Sequence, residues 1–132
     1  VSSETWLLDT NAVIALVNDP RGPLASMLRQ RDLGCVALSS IVLHELYYGA
    51  FKSRQRDRNL SVVASIALEV LEFTAEDARE AGVIRAALAL DGTPIGPYDV
   101  LIAGQARARG LALVTRNRAE FERVPNLQLI GW

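Results

Sequence analysis

The sequence predicts an α/β fold of three layers, with a central, mostly parallel sheet of four to five strands covered by helices on both faces. Three observations point to it. Short apolar runs recur along the chain: Trp6-Leu7-Leu8, Val36-Ala37-Leu38, Val70-Leu71-Phe73, Leu111 to Val114 and Leu127 to Ile130. Helical stretches separate these runs. Several of the runs close on residues that suit a helix start, namely Asp9-Thr10-Asn11, Ser39-Ser40 and Thr115.

Taken in order, the first run leads into a helix over Ala12 to Val17, which stops near Asn18-Asp19-Pro20. Pro23 to Arg31 forms a second short helix with Leu24, Met27 and Leu28 on one face, and Gly34 breaks it. After the second strand, Ser39 or Ser40 caps a longer helix from about Ile41 to Ser53, and Asp57 to Leu68 reads as another. Thr74-x-x-Asp77 has the pattern of a capping box ahead of a helix from Ala75 to Leu90. The stretch from Asp91 to Pro97 is dense in turn formers, so it is a loop. Pro97 suits the first turn of the next helix, Tyr98 to Arg109, which Gly110 ends. Asn117 to Arg123 closes the helical set, and no linker or repeat interrupts a single domain over residues 1–132.

The composition narrows the chemistry. With 132 residues the chain can bury roughly two thirds of the surface of its unfolded form. The formal charge of −1 neither requires nor excludes a nucleic-acid partner, because local patches matter more than the sum. Such patches exist: Arg54, Arg56 and Arg58 follow the single lysine, Lys52, and Arg107, Arg109, Arg116, Arg118 and Arg123 gather near the C-terminus. One cysteine, Cys35, excludes an intrachain disulfide and a cysteine zinc site, and reads as a buried structural thiol. One histidine, His44, excludes a multi-histidine metal site. No signal-peptide pattern is visible and no apolar run approaches the ~20 residues of a membrane span, so a cytoplasmic setting with no membrane contact is expected.

Ligands of parallel α/β sheets bind outside the carboxyl ends of the strands. Three acids are candidates for that edge, and each also has a structural reading. Asp9 follows the first strand and can cap a helix, although Thr10 and Asn11 suit that task equally. Glu45 shares a helix face with Ile41, Tyr48 and Lys52 and can be a solvated glutamate. A glutamate slightly over one turn into that helix can also lean back toward the edge. Asp99 can simply complement a helix dipole, yet it stands between a tight loop and the core-like Val100-Leu101-Ile102. Three such acids repel one another, and a divalent cation is the usual way to hold them ionised together. Oxygen ligands without a Cys or His cluster favour Mg²⁺, with Mn²⁺ as the alternative.

These residues resemble a known family. Leu7-Leu8-Asp9-Thr10-Asn11 is similar to the opening strand of PIN-domain nucleases, and Ser39 to Gly49 to their second motif. Ile95 to Ala103 resembles the third, Leu113-Val114-Thr115-Arg116-Asn117 the fourth, and Phe121 to Leu127 the closing stretch of bacterial members. The resemblance runs in order through essentially the whole chain. It is strongest to the VapC-type toxins of toxin–antitoxin pairs, and it implies a PIN-like α/β/α fold. It further implies a Mg²⁺- or Mn²⁺-dependent endoribonuclease that dimerises and is inhibited by a cognate antitoxin. Carried over by position, Asp9, Glu45 and Asp99 are the acidic metal-site residues, while Thr115 and Thr10 support the site by hydrogen bonding. Asn117 stands where many PIN domains have a fourth acid. Its amide carbonyl can bind a metal or its water but supplies no charge, so a tightly held second ion needs substrate phosphate to complete it.

The expected reaction is phosphodiester hydrolysis by in-line attack of water at the site of Asp9, Glu45 and Asp99, with one carboxylate, not identified by the sequence, orienting or deprotonating that water. An acidic pocket repels RNA, so cations must hold the strand, and Arg116 and Arg118 beside Asn117 are the candidates. Tyr47, Tyr48 and Phe51 read by default as core, with an antitoxin or dimer contact as the other reading. A haloacid-dehalogenase-like phosphatase wants a second aspartate where Asn11 stands, and that site and a receiver site want a late lysine, absent after Lys52. The alternative from a different class is a catalytically silent PIN fold that serves as a binding module.

Overall fold

The structure is a computed structural model that describes residues 4–132. Its sheet has five strands, β1 (Trp6–Leu8), β2 (Val36–Ser39), β3 (Glu69–Leu71), β4 (Ala112–Val114) and β5 (Leu129–Ile130). They lie in the order β3-β2-β1-β4-β5 and every neighbouring pair is parallel. Consecutive residues of β2 and β4, as well as Leu7 and Leu8 of β1, are all buried. Side chains alternate between faces along a strand, so continuous burial means that both faces are covered. Only the edge strands β3 and β5 lack fully buried residues.

Helices α1 (Thr10–Asn18), α2 (Pro23–Arg29), α3 (Ser40–Lys52), α4 (Arg56–Ala64), α5 (Ala75–Leu90), α6 (Pro97–Ala108) and α7 (Arg118–Phe121) complete the fold, with a 3₁₀ turn at Leu33–Cys35. The capping box forms as the sequence predicts. The Asp77 amide donates to Thr74 Oγ1 at 3.3 Å, and the Thr74 amide donates to the Asp77 carboxylate at 2.8 Å. Asp77 is also bound by Arg109 at 2.8 Å, tying the start of α5 to the end of α6. Burial pushes the Asp77 carboxyl up, but the Arg109 and Thr74 hydrogen bonds outweigh it and hold the group below its usual range.

Boundaries depart from expectation where local polar groups take over. The first helix starts at Thr10 rather than Ala12, because Asp9 caps it. The helix expected to reach Leu68 ends at Ala64, where the Ser65 amide closes onto the preceding turn. The last helix shrinks to Arg118–Phe121 and the last strand begins only at Leu129, since Asn126 takes a left-handed φ of 61° that interrupts extended pairing. Cys35 is half-buried rather than buried.

Helices α5 and α6 pack closely enough to require glycine. A Cβ on Gly104 would lie 2.6 Å from both Cα and Cβ of Ala81, a contact that backbone must yield to relieve. Gly104→Ala is therefore expected to destabilise the fold by about 1–3 kcal/mol, read as a lowered urea midpoint at unchanged m-value.

Candidate active site

The strand order reverses direction at β1, where β4 is added on the opposite side from β2. Such a switch point leaves a crevice at the carboxyl edge of the sheet. The parallel register aligns Leu8 with Leu38 on one side and with Val114 on the other. Asp9, Ser39 and Thr115 are therefore delivered to the same edge, as the sequence predicts.

Asp9 is almost fully buried, with 3% of its surface exposed. Its backbone N–H still belongs to the sheet, donating to the Val114 carbonyl at 3.2 Å. Its side chain accepts the Ala12 N–H at 2.8 Å, so Asp9 itself caps α1 and neither Thr10 nor Asn11 takes that task. Capping and site roles are compatible, because the bond fixes the carboxylate at the crevice. Thr115, fully buried, donates its hydroxyl to Asp9 and accepts the Asn117 N–H at 2.9 Å. Burial raises the Asp9 pKa, the Thr115 and Ala12 hydrogen bonds oppose the rise, and the Glu45 charge adds to it.

Glu45 projects from α3, whose start is capped by Ser39 accepting the Ile41 N–H at 3.0 Å. The adjacent Ser40 takes another part, accepting the Phe73 N–H at 3.1 Å just beyond β3. Glu45 is half-buried, and the Thr10 hydroxyl donates to it at 2.8 Å. Thr10 thus holds Glu45 beside Asp9 instead of leaving it solvated.

Asp99 lies in the first turn of α6, and its surroundings include a residue that sequence reasoning misses. Glu120 of α7 hydrogen-bonds Asp99, accepts the Gly96 N–H at 2.6 Å and accepts the Asn117 side-chain amide at 2.6 Å. Gly96 must be small: a Cβ there would stand 2.9 Å from the Asp99 carboxylate and 3.4 Å from that of Glu120. Burial, the hydrogen bond to Glu120 and the charges of Glu120, Glu45 and Asp9 push Asp99 up to about 7. Burial also raises Glu120, but the Gly96, Asn117 and Asp99 hydrogen bonds and the Arg123 charge outweigh it and bring Glu120 below its usual range. Within this pair Asp99 is the raised group and Glu120 the lowered one.

The edge holds four carboxylates, where the sequence reading counts three charges plus Asn117. Asn117 occupies the N-cap position of α7 without a side-chain capping bond, and its amide clamps Glu120 instead. The pattern Asn117-x-x-Glu120 is the signal that could have revealed the fourth acid, since a cap position followed three residues later by glutamate invites their contact.

The basic candidates are placed differently from one another. Arg116 is exposed and lies over the Trp132 ring at 4.7 Å, while Arg118 pairs with Glu122 at 3.5 Å. Tyr47, Tyr48 and Phe51 are not core: they are 38%, 62% and 53% exposed on α3. Packing does not claim them because α3 turns Val42 and Ala50 inward instead.

Among the described residues, no ion pair reaches Asp9, Glu45, Asp99 or Glu120. No three acidic, histidine or cysteine side chains among them close on a single point either. This donor set suits a hard cation that keeps most of its water and takes one or two carboxylates, as Mg²⁺ and the similar Mn²⁺ do, and not a zinc or calcium cage.

Known proteins resemble this chain over nearly its whole length. A sequence model of the PIN domain matches residues 6–127. The chain is similar to a tRNA(fMet)-specific endonuclease VapC of Salmonella typhimurium, with 44% identity covering 96% of this chain and 97% of the relative. A ribonuclease VapC2 of Haemophilus influenzae is 40% identical, over 96% of this chain and 97% of its own length. Among solved structures, a DNA-bound VapBC from Salmonella typhimurium matches with a TM-score of 0.92 and 42% identity, covering 98% of this chain and 99% of that one.

Proposed function

The chain belongs to the PIN-domain family, among the VapC ribonucleases, and from that premise we propose that it cleaves RNA phosphodiester bonds at the edge formed by Asp9, Glu45, Asp99 and Glu120. The observation that carries this reading is a set of four mutually repelling carboxylates, unpaired with any cation among the described residues, one of them raised to about 7. Such a cluster is costly to the fold and useful for holding charge.

One or two of the carboxylates Asp9, Glu45 and Asp99 would hold Mg²⁺ or Mn²⁺ together with its water, with Glu120 as an added charge beside Asp99. When bound, such an ion lowers the pKa of water and neutralises phosphodiester charge. The chain's own part is positioning. Thr115 and Ala12 aim Asp9, Thr10 aims Glu45, and Asn117 with Gly96 fixes Glu120 against Asp99. In the unliganded site Asp99 is raised to about 7, which suits a group that takes a proton from the attacking water. Arg116, exposed between Thr115 and Asn117, and Arg118 beyond it would contact the RNA backbone; the exposed pair of Arg118 with Glu122 is weak enough to yield to phosphate.

Neutralisation by a cognate antitoxin, homodimerisation and action in the cytoplasm belong to the same proposal. The VapBC neighbour supports the first. Among the described residues no helix is long and apolar enough to cross a membrane.

Incubating the purified protein with cellular RNA tests the reading. Cleavage is expected with Mg²⁺ or Mn²⁺ and not with chelator. Cleavage that persists in chelator would sink the metal-assisted mechanism. Failure to cut any RNA under either condition would favour a catalytically silent binding module.

A further inference from the structure

Beside the acidic edge lies a second cleft of about 550 Å³, within the range of small-ligand sites. Thr10 and Glu45, which belong to the acidic edge, also line this cleft, so the two adjoin. Its walls are aromatic and cationic. His44 and Tyr98 face each other with ring centroids 5.4 Å apart at 49°, and Lys52 stands 4.8 Å over the Tyr48 ring. His44, Tyr48 and Lys52 recur every fourth residue along α3, and Tyr98 immediately precedes Asp99 on α6. Tyr98 and Tyr48 remain 45% and 62% exposed, so their rings are open to a ligand. Gly49 adds to the picture. A Cβ there would meet nothing within 4 Å, so packing does not demand a glycine in mid-helix, where it is a poor helix former. Its absent side chain keeps the cleft open.

We propose that this cleft seats an unpaired nucleotide adjacent to the cleaved phosphodiester, with its base stacked on Tyr98 and Tyr48 and a neighbouring phosphate held by Lys52. The inference rests on the ribonuclease reading above and deepens it. Bases stack on aromatic rings only when splayed out of a duplex, so the cleft selects single-stranded or looped RNA over paired RNA. Lys52 is the chain's only lysine, and it leads directly into Arg54, Arg56 and Arg58 at the exposed turn before and start of α4. That run continues the cationic track away from the acids, where the RNA backbone needs compensation. A strand passing over the acidic edge must lie against both spaces, and aromatic rings beside a lysine match the base and phosphate of a nucleotide.

The test uses a single-stranded RNA dodecamer carrying 2-aminopurine, with a matched duplex as control, in chelator so that no strand is cut. Quenching is expected with the single strand and not with the duplex. Tyr48→Ala and Tyr98→Leu should each weaken binding roughly 5- to 150-fold, the range of one lost base stack. These side chains are exposed, and unchanged circular dichroism and melting temperature would show that the variants fold. With an RNA that the wild type cleaves, the same variants should raise KM and leave kcat within about threefold. A protein that cuts RNA yet shows no quenching, or whose variants bind unchanged, overturns the inference alone. Quenching without any cleavage supports the cleft and overturns the ribonuclease reading; neither signal overturns both. Variants that change oligomeric state but not RNA affinity would reassign this face to a protein interface.

Discussion

Asp99→Asn is expected to lower RNA cleavage by roughly 10²- to 10⁴-fold, the usual worth of a positioned acid–base group, while raising the stability of the metal-free protein above pH 7. The opposed signs follow from one cause. Asp99 is raised from 3.8 to about 7, first by burial and then by Glu120, Glu45 and Asp9. Between those pH values the folded chain keeps a proton that the unfolded chain has released. Stability of the unliganded fold must then fall as pH rises through that window, and the loss is complete above about 7. An asparagine cannot ionise, so that loss disappears. Its amide can still donate to Glu120, as the protonated carboxyl does, so the local structure survives. Melting curves at pH 5 and pH 8 without metal would show the wild type losing more stability than the variant. If the variant is equally pH-sensitive, the carboxylate cluster is not the source of the strain.

Much of this site can be read from sequence because the relevant physics is local. Strand ends in a parallel sheet define an edge, and Asp9, Ser39 and Thr115 each follow an apolar run directly. Asp99 is marked by the tight loop before it, and the structure gives the reason: Gly96 leaves room for two carboxylates at once. Glu45 is harder, since only the Thr10 hydroxyl, 35 positions away in sequence, distinguishes it from a solvated glutamate. Glu120 escapes notice for the same reason on a larger scale. Its partners Gly96 and Asp99 lie over twenty residues upstream, and no periodicity connects α7 to the start of α6. The exposed aromatics of α3 show the converse error. Helical spacing suggests burial, but spacing cannot say which face of a helix the neighbouring elements leave uncovered.

Glu120→Gln should move the acid limb of the pH–rate profile to lower pH and raise the Mg²⁺ concentration needed for half-maximal rate by about 10- to 100-fold. The first effect follows from the hydrogen-bond balance. Glu120 accepts the Gly96 N–H, the Asn117 amide and the Asp99 proton, and its negative charge is a main reason that Asp99 holds that proton up to about 7. A neutral glutamine removes the repulsion, so Asp99 ionises earlier, and bound divalent cation lowers the limb further in both proteins. The second effect follows from charge. The cluster falls from four carboxylates to three, and the amide introduced by Glu120→Gln meets the Asn117 amide donor to donor unless one of them turns over. Measuring kcat against pH and against Mg²⁺ in both proteins separates these contributions. A structural role at the start of α6, through the Gly96 bond alone, would lower stability while leaving the acid limb and the Mg²⁺ requirement where they were. A shifted limb with an unchanged Mg²⁺ requirement would make Glu120 a regulator of the Asp99 proton and remove it from the metal site.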